Sequence, residues 1–212
     1  MVTKYVNFGC GTVCPDEFTN YDGSFNLKMQ RNSIVGHVTK KISGTKFPPN
    51  ALYADIVSGL PVKENSLKGI FSSHVLEHLS LDELRITLNN CYRYLEPGGI
   101  FRAVLPNLEE SIDSYKREKN KGNKRAAYDF MHYTFLGYKA RPKSIKDVLK
   151  WRLSGHHHFW MWDFESLEVE LLNTSFTKVY KSSFNQSADP YFNYAESPGR
   201  FDYNALCIEA IK

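Results

Sequence analysis

Lys4-Tyr-Val-Asn-Phe-Gly-Cys-Gly11 is a short apolar run that ends on two glycines separated by one cysteine. A run of this length bounded by a glycine turn reads as a buried strand and the loop behind it. Working outward, a second short strand is expected at Phe18 to Asp22. A third follows the Pro48-Pro49 break at Ala51 to Ala54 and ends at Asp55, a fourth spans Leu67 to Ser73, and a fifth spans Ile100 to Leu105. Ser80-Leu-Asp-Glu83 supplies a helix cap and its capping-box glutamate, Leu84, Leu88, Cys91, Tyr92 and Leu95 form one apolar stripe, and Pro97-Gly98-Gly99 ends the helix. Leu27 to Ile42 has a looser helical spacing, weakened by Gly36, and is also expected to be a helix. Strands alternating with helices imply a mostly parallel sheet covered on both faces. Such sheets bind ligands beyond the carboxyl ends of their strands, where strand order reverses. The residues behind each strand are therefore the ones to inspect.

The later part of the chain reads differently. Leu108 to Leu153 is polar, basic and aromatic, an insertion expected to form two or three helices. Asp163-Phe-Glu-Ser166 caps a further helix carrying Leu167, Val169, Leu171 and Leu172, and Phe176 to Ser182 and Tyr203 to Ile211 read as closing strands. The net charge of +4 is uneven: Lys116 to Arg152 holds twelve Lys or Arg against Glu118, Asp129 and Asp147. Such a run is either a solvated helical face or an electropositive cover over a site for an anionic substrate. At 212 residues, 42% hydrophobic and 24% charged, the chain has the size and composition of one globular domain spanning 1–212. Its start lacks the apolar core and cleavage site of a secretion signal, so a cytoplasmic address is expected. Cys10, Cys14, Cys91 and Cys207 have neither zinc-type pairing nor the density of a disulfide framework.

Behind the first strand the glycines let the backbone approach a ligand and take up positive φ. Asp22 and Asp55, behind the second and third strands, stand where carboxylates can accept hydrogen bonds from a nucleoside. Behind the fourth strand comes Phe71-Ser-Ser-His-Val-Leu-Glu-His-Leu79, and after the next helix Leu95-Glu-Pro-Gly-Gly99. With these four ordered motifs the chain resembles class I S-adenosylmethionine-dependent methyltransferases, in particular a small bacterial branch of surface-glycan biosynthesis. The resemblance runs from Lys4 to Leu105 and returns in the closing strand. It implies a Rossmann-like α/β fold with a seven-stranded sheet, the last strand antiparallel, and S-adenosylmethionine over the ends of strands one to four. It further implies a cofactor half at 1–106, an acceptor segment at 107–200 and a closing strand at 203–211. Carried over by position, Gly9, Cys10 and Gly11 face the methionine half of the cofactor and Asp22 its ribose. Asp55 and Ile56 hold the adenine, and Ser73 and His74 line the region beside the sulfonium. Glu77 and His78 are expected to fix the start of the next helix.

One departure stands out. Nine residues separate Phe8 from Phe18, whereas a parallel crossover normally takes about a dozen or more. The first helix must be shortened to a turn or displaced, and Asp16 and Glu17 stand as alternatives to Asp22. A general base, where the acceptor needs one, is expected to be a histidine: His74 and His157 first, with His132, His156 and His158 as further candidates. Neighbours in an extended segment point to opposite sides, so at most His156 and His158 share a face, and no metal is expected. The aromatic residues Phe159, Trp160, Trp162, Tyr128, Tyr133, Phe135, Tyr138, Tyr191 and Tyr194 suit either a core or a pocket that stacks on a sugar or encloses an ammonium. A nicotinamide enzyme is disfavoured because Cys14 breaks the G-x-G-x-x-G fingerprint. A base-amine methyltransferase is disfavoured because Ser-Ser-His-Val replaces an Asn/Asp-Pro-Pro-Tyr-type motif, and a non-catalytic module because the glycine loop and Asp55 are intact. The expected activity is methyl transfer from S-adenosylmethionine to a small anionic acceptor, foremost O-methylation of a sugar or sugar nucleotide. N-methylation of a phosphorylated amine and RNA methylation are the alternatives.

Overall fold

The computed structural model describes residues 3–34, 36–37, 45–138, 140–141, 143–144, 157–201 and 204–212. Seven strands form one sheet: β1 (Tyr5–Phe8), β2 (Thr19–Asp22), β3 (Ala51–Tyr53), β4 (Leu67–Ser73), β5 (Leu95–Pro106), β6 (Lys178–Ser182) and β7 (Ala205–Ile211). They lie in the order β3-β2-β1-β4-β5-β7-β6. The first five are parallel, and β7 runs antiparallel between β5 and β6. This is the Rossmann-like α/β methyltransferase sheet expected from the sequence.

The described helices are α1 (Phe25–Arg31), α2 (Leu81–Tyr94), α3 (Leu108–Asn120), α4 (Ala126–Tyr133) and α5 (Phe164–Asn173). Ser80 and Glu83 close the predicted capping box on α2, and the Asp163 side chain accepts the Ser166 amide at the start of α5. Two expectations shift. The helix anticipated from Leu27 to Ile42 begins at Phe25, because Ser24 caps it, and ends at Arg31; Val35, Val38 and Ile42 lie outside the described residues. After α2 the chain pairs at once, Leu67 with Leu95, before the register slips and Gly69 pairs with Ile100. Pro97-Gly98-Gly99 is thus a bulge within β5, with Gly98 at φ +78°. Of the helices expected between Leu108 and Leu153, α3 and α4 fall on described residues; 145–156 do not.

Successive strand residues point to opposite faces. Val6, Phe8, Ile70, Phe101 and Leu105 pack with Leu84, Leu88, Leu167 and Leu171 of α2 and α5. The other face is where the missing helix matters. Residues 9–18 connect β1 to β2 through turns, held by two buried asparagines that take up backbone groups a helix would satisfy internally. Asn7 Nδ2 donates to Val13 O at 2.9 Å, and Asn20 Nδ2 to Pro15 O and Phe18 O at 2.8 and 2.9 Å. The bare face is covered by the 3₁₀ turn Pro190–Tyr194. Phe192 buries itself among Tyr5, Phe18 and Phe71, Tyr191 stacks on Tyr5 at 4.0 Å, and the Tyr5 hydroxyl donates to Asp189 at 2.6 Å.

Gly69 makes this approach possible, since a Cβ there would lie 2.6 Å from Tyr5 Cδ1 and 2.8 Å from Phe192 Cζ. Gly69→Ala is expected to destabilise the fold by roughly 1–3 kcal/mol through overpacking. Urea unfolding measures this, and an unchanged midpoint would reject the packing described.

Candidate active site

Strand order reverses between β1 and β4, and the loop behind β1 sits at that point. Gly9 and Gly11 have φ of +65° and +54°, the left-handed region that glycine tolerates. Gly9 also packs under Val75: a Cβ there would lie 2.1 Å from Val75 Cγ2, whereas one at Gly11 would meet nothing within 4 Å. Asp22 closes the loop from the end of β2. Its carboxylate accepts the Gly11 amide at 3.0 Å and the Ser24 amide at 2.8 Å. Of the alternative acids, Asp16 accepts from Asn50 Nδ2, and Glu17 offers its backbone carbonyl to the Tyr191 hydroxyl; Asp22 is the one bonded to the glycine loop.

Asp55 lies beside Gly23, whose added Cβ would be 3.3 Å from Asp55 Cα. Its carboxylate accepts the Val57 amide at 2.9 Å and the Ser58 hydroxyl at 3.2 Å. Ile56 is buried in the core, and its carbonyl accepts from Asn90. A narrow cleft between the ends of β1 and β4 is lined by Asn7, Gly9, Cys10, Ser73, Ser197 and Arg200. The buried Ser73 hydroxyl has no partner. An orphaned hydroxyl in the same cleft as the left-handed Gly9 suits a polar cofactor group that approaches the backbone closely, so the residues present fit a nucleoside cofactor. Burial pushes the Cys10 thiol up, which makes it unsuited to act as a nucleophile.

His74 follows β4 with φ +55°, a strained conformation for a side chain of this size and of the kind that gathers at functional sites. Its Nδ1 lies 3.3 Å from Glu77 Oε1 and its Nε2 3.2 Å from Arg200 O. Burial works against a charge on this ring, yet contact with Glu77 holds its pKa above the usual histidine value. A ring with acceptors on both nitrogens has no free lone pair, which works against the general-base role expected for it. His157 is half-buried, its ring stacked on Tyr138 at 4.5 Å. His132 stacks on Tyr128 at 6.0 Å on the exposed side of α4. Burial pushes His158 down to about 4, so it is neutral near pH 7; His156 lies outside the described residues.

A second cavity of about 460 Å³ opens between α3 and α4. Ser111, Tyr115, Glu118, Asp129, Phe130 and Tyr133 contribute to its lining, which includes no lysine or arginine among the described residues. The nearby basic residues lie outside it. Lys116 pairs with Asp113, Arg117 with Glu110 and Lys121 with Glu118, while Arg125 stands over the Tyr128 ring.

Sequence reasoning missed three features of the site. Arg200 and Ser197 reach it from the far end of the chain, and no local pattern marks them. The positive φ of His74 has no glycine to signal it. Glu77 and His78, expected to fix the start of the next helix, lie in a 3₁₀ turn of their own, Leu76–His78, ahead of it, and the burial of the Glu77 side chain was not foreseen.

Residues 7–103 match the family model of a methyltransferase domain, a stretch that runs from β1 into β5 and holds the glycine loop, Asp22, Asp55 and the turn behind β4. No curated protein sequence matches the chain. Among solved structures, a SAM-dependent methyltransferase from Archaeoglobus fulgidus superimposes with a TM-score of 0.50 at 17% identity, over 98% of this chain and 85% of that one. A possible histamine N-methyltransferase of Thermotoga maritima aligns at TM-score 0.48 and 16% identity, over 98% and 81%. A phosphoethanolamine N-methyltransferase of Haemonchus contortus in complex with S-adenosyl-L-methionine aligns at 0.48 and 12%, over 100% of this chain and 49% of that one. Among the described residues no helix is long and apolar enough to cross a membrane. With this sheet, this loop and this domain match together, residues 7–103 form a methyltransferase domain and the chain is an S-adenosylmethionine-dependent methyltransferase.

Proposed function

We propose that the enzyme methylates a hydroxyl of a sugar or sugar nucleotide, a step of bacterial surface-polysaccharide biosynthesis, with the sugar seated in the cavity between α3 and α4. The composition of that cavity carries the reading. Tyr115, Phe130 and Tyr133 offer ring faces for the apolar side of a sugar, while Ser111, Glu118 and Asp129 offer acceptors for its hydroxyls. A phosphate on the acceptor is assigned to the rim, where Lys124 and Arg125 are exposed beside the lining residue Asn123. A second reading rests on the same rings and carboxylates, which also suit the ammonium of a phosphorylated amine.

S-adenosylmethionine supplies a methyl group on a sulfonium already primed to leave, so the protein chiefly positions the reactants. Gly9, Cys10 and Gly11 are assigned to the methionine half, Asp22 to the ribose, Asp55 and Ile56 to the adenine, and Ser73 and His74 to the wall beside the sulfonium. With both His74 nitrogens engaged, the role of general base falls to His157. On this layout Asp55→Ala is expected to weaken cofactor binding about tenfold or more, the loss of a hydrogen bond to a charged group, and His157→Ala to leave it unchanged. Calorimetry decides, and equal losses would contradict the layout.

Release of S-adenosylhomocysteine should be measured in parallel with nucleotide sugars, phosphorylated amines and a short RNA. Turnover of a nucleotide sugar supports the first reading, turnover of the amine alone replaces it with the second, and turnover of RNA alone removes both.

A further inference from the structure

The turn behind β4 holds a largely buried cluster next to His74. Glu77 is fully buried; its Oε1 faces His74 Nδ1 at 3.3 Å, and its Oε2 accepts no hydrogen bond. One carboxylate oxygen and one ring nitrogen from each of His78 and His158 lie within 4.8 Å of one another. The two imidazole centroids are 4.9 Å apart, at 75°. Each ring spends its other nitrogen on a backbone carbonyl. His78 Nδ1 bonds to His157 O at 2.9 Å, and His158 bonds to the Thr134 backbone through Nε2, since its Nδ1 has no partner.

Donation to those carbonyls fixes the tautomers and leaves Nε2 of His78 and Nδ1 of His158 as lone pairs. A carboxylate and two imidazole lone pairs then meet in a largely buried pocket, where His74 Nδ1 faces Glu77 Oε1 and the other carboxylate oxygen and both lone pairs are left without a donor. Burying polar atoms unsatisfied in this way costs free energy. A cation held by all three removes that cost. Two imidazoles and one carboxylate form a donor set suited to divalent transition metals, zinc above all. A backbone carbonyl behind each imidazole is the outer contact that orients metal-ligating histidines.

We propose that Glu77, His78 and His158 bind a divalent transition-metal ion of the zinc type, with water as the fourth ligand. The ion pins the segment 157–162 to the turn behind β4. Two amides already fasten that segment, Phe159 and Trp160 both donating to the Glu77 carbonyl. The site does not depend on the identity of the methyl acceptor.

The test uses the full chain without a histidine tag, stripped with a chelator and titrated with Zn2+ and then Co2+. Calorimetry is expected to show one ion per chain, weakened about tenfold or more in Glu77→Gln and His158→Ala. Zn2+ is expected to raise the melting temperature of the wild type and of neither variant. Bound Co2+ should give the visible spectrum of a tetrahedral nitrogen and oxygen site without a thiolate charge-transfer band. Should Glu77→Gln not fold, His78→Ala at a half-buried position gives the same comparison. No uptake by the wild type overturns the proposal and makes the cluster a proton-sharing network. Uptake that His158→Ala leaves unchanged overturns it too, as does a thiolate band, which would put the ion on Cys10 and Cys14.

Discussion

Exchanging Arg102 for methionine is expected to lower the unfolding free energy by about 3–5 kcal/mol, the usual cost of removing one partner from a buried ion pair. Arg102 lies in the middle of β5, opposite Phe71 on one side and Glu209 on the other, and its side chain is fully buried with those of Glu196 and Glu209. The guanidinium donates to both carboxylates, to Ser182 Oγ at 2.7 Å and to Ser183 O at 2.6 Å. Without it two carboxylates remain in the interior with no counter-charge. Urea unfolding gives the number, and a loss under about 1 kcal/mol would refute the network as a source of cohesion. Replacing all three charged residues by apolar ones of similar volume should restore most of the loss, because well-packed apolar groups do as well as a buried triad. Cofactor affinity is expected to fall in Arg102→Met as well: Glu196 directly precedes Ser197, which lines the cleft between the ends of β1 and β4 proposed to hold the cofactor.

The second large effect is local. Gly9→Ala is expected to reduce kcat/KM about a hundredfold, the scale of loss that a displacement near 1 Å produces at a reacting centre. The new methyl would sit 2.1 Å from Val75 Cγ2 at a φ of +65°, so the loop must shift or the turn carrying His74 must yield. Left-handed backbone alone costs about 1–2 kcal/mol for a residue with a side chain. Gly11→Ala isolates that cost, since its methyl would meet nothing within 4 Å, and it should lose no more than about tenfold. Steady-state kinetics on the two variants, with Val75→Ala added to Gly9→Ala as the rescue, separates collision from strain. Equal losses at the two glycines, or no rescue, would mean that Val75 does not set the limit.

Local chemistry made much of this legible. The capping box at Ser80 and Glu83, the cap at Asp163 and the apolar runs ending on glycine or aspartate all formed where residue spacing placed them. The short gap between Phe8 and Phe18 announced a missing helix by chain length alone. It did not announce the replacement, because the contact of Phe192 with Tyr5, Phe18 and Phe71 joins residues far apart in sequence and leaves no periodicity. Arg102 was illegible for a related reason: a charged residue in a strand reads as solvent-facing until its partners, Glu196 and Glu209, are brought to it. Asp22 shows the intermediate case. Sequence put it, Asp16 and Glu17 in the same short stretch, and the pairing of β2 with β1 brought Asp22 to the Gly11 amide.

The late arrival of Phe192 has a consequence for biosynthesis. As the chain leaves the ribosome, the five parallel strands and their glycine loop emerge first, with Tyr5, Phe18 and Phe71 forming an aromatic surface that has no cover. That surface stays exposed until Pro190–Tyr194 has been translated, so docking of that turn covers the nascent sheet. Partly made chains carrying exposed apolar faces are the species that aggregate or engage chaperones, and here that window runs from the emergence of β4 to that of Pro190–Tyr194.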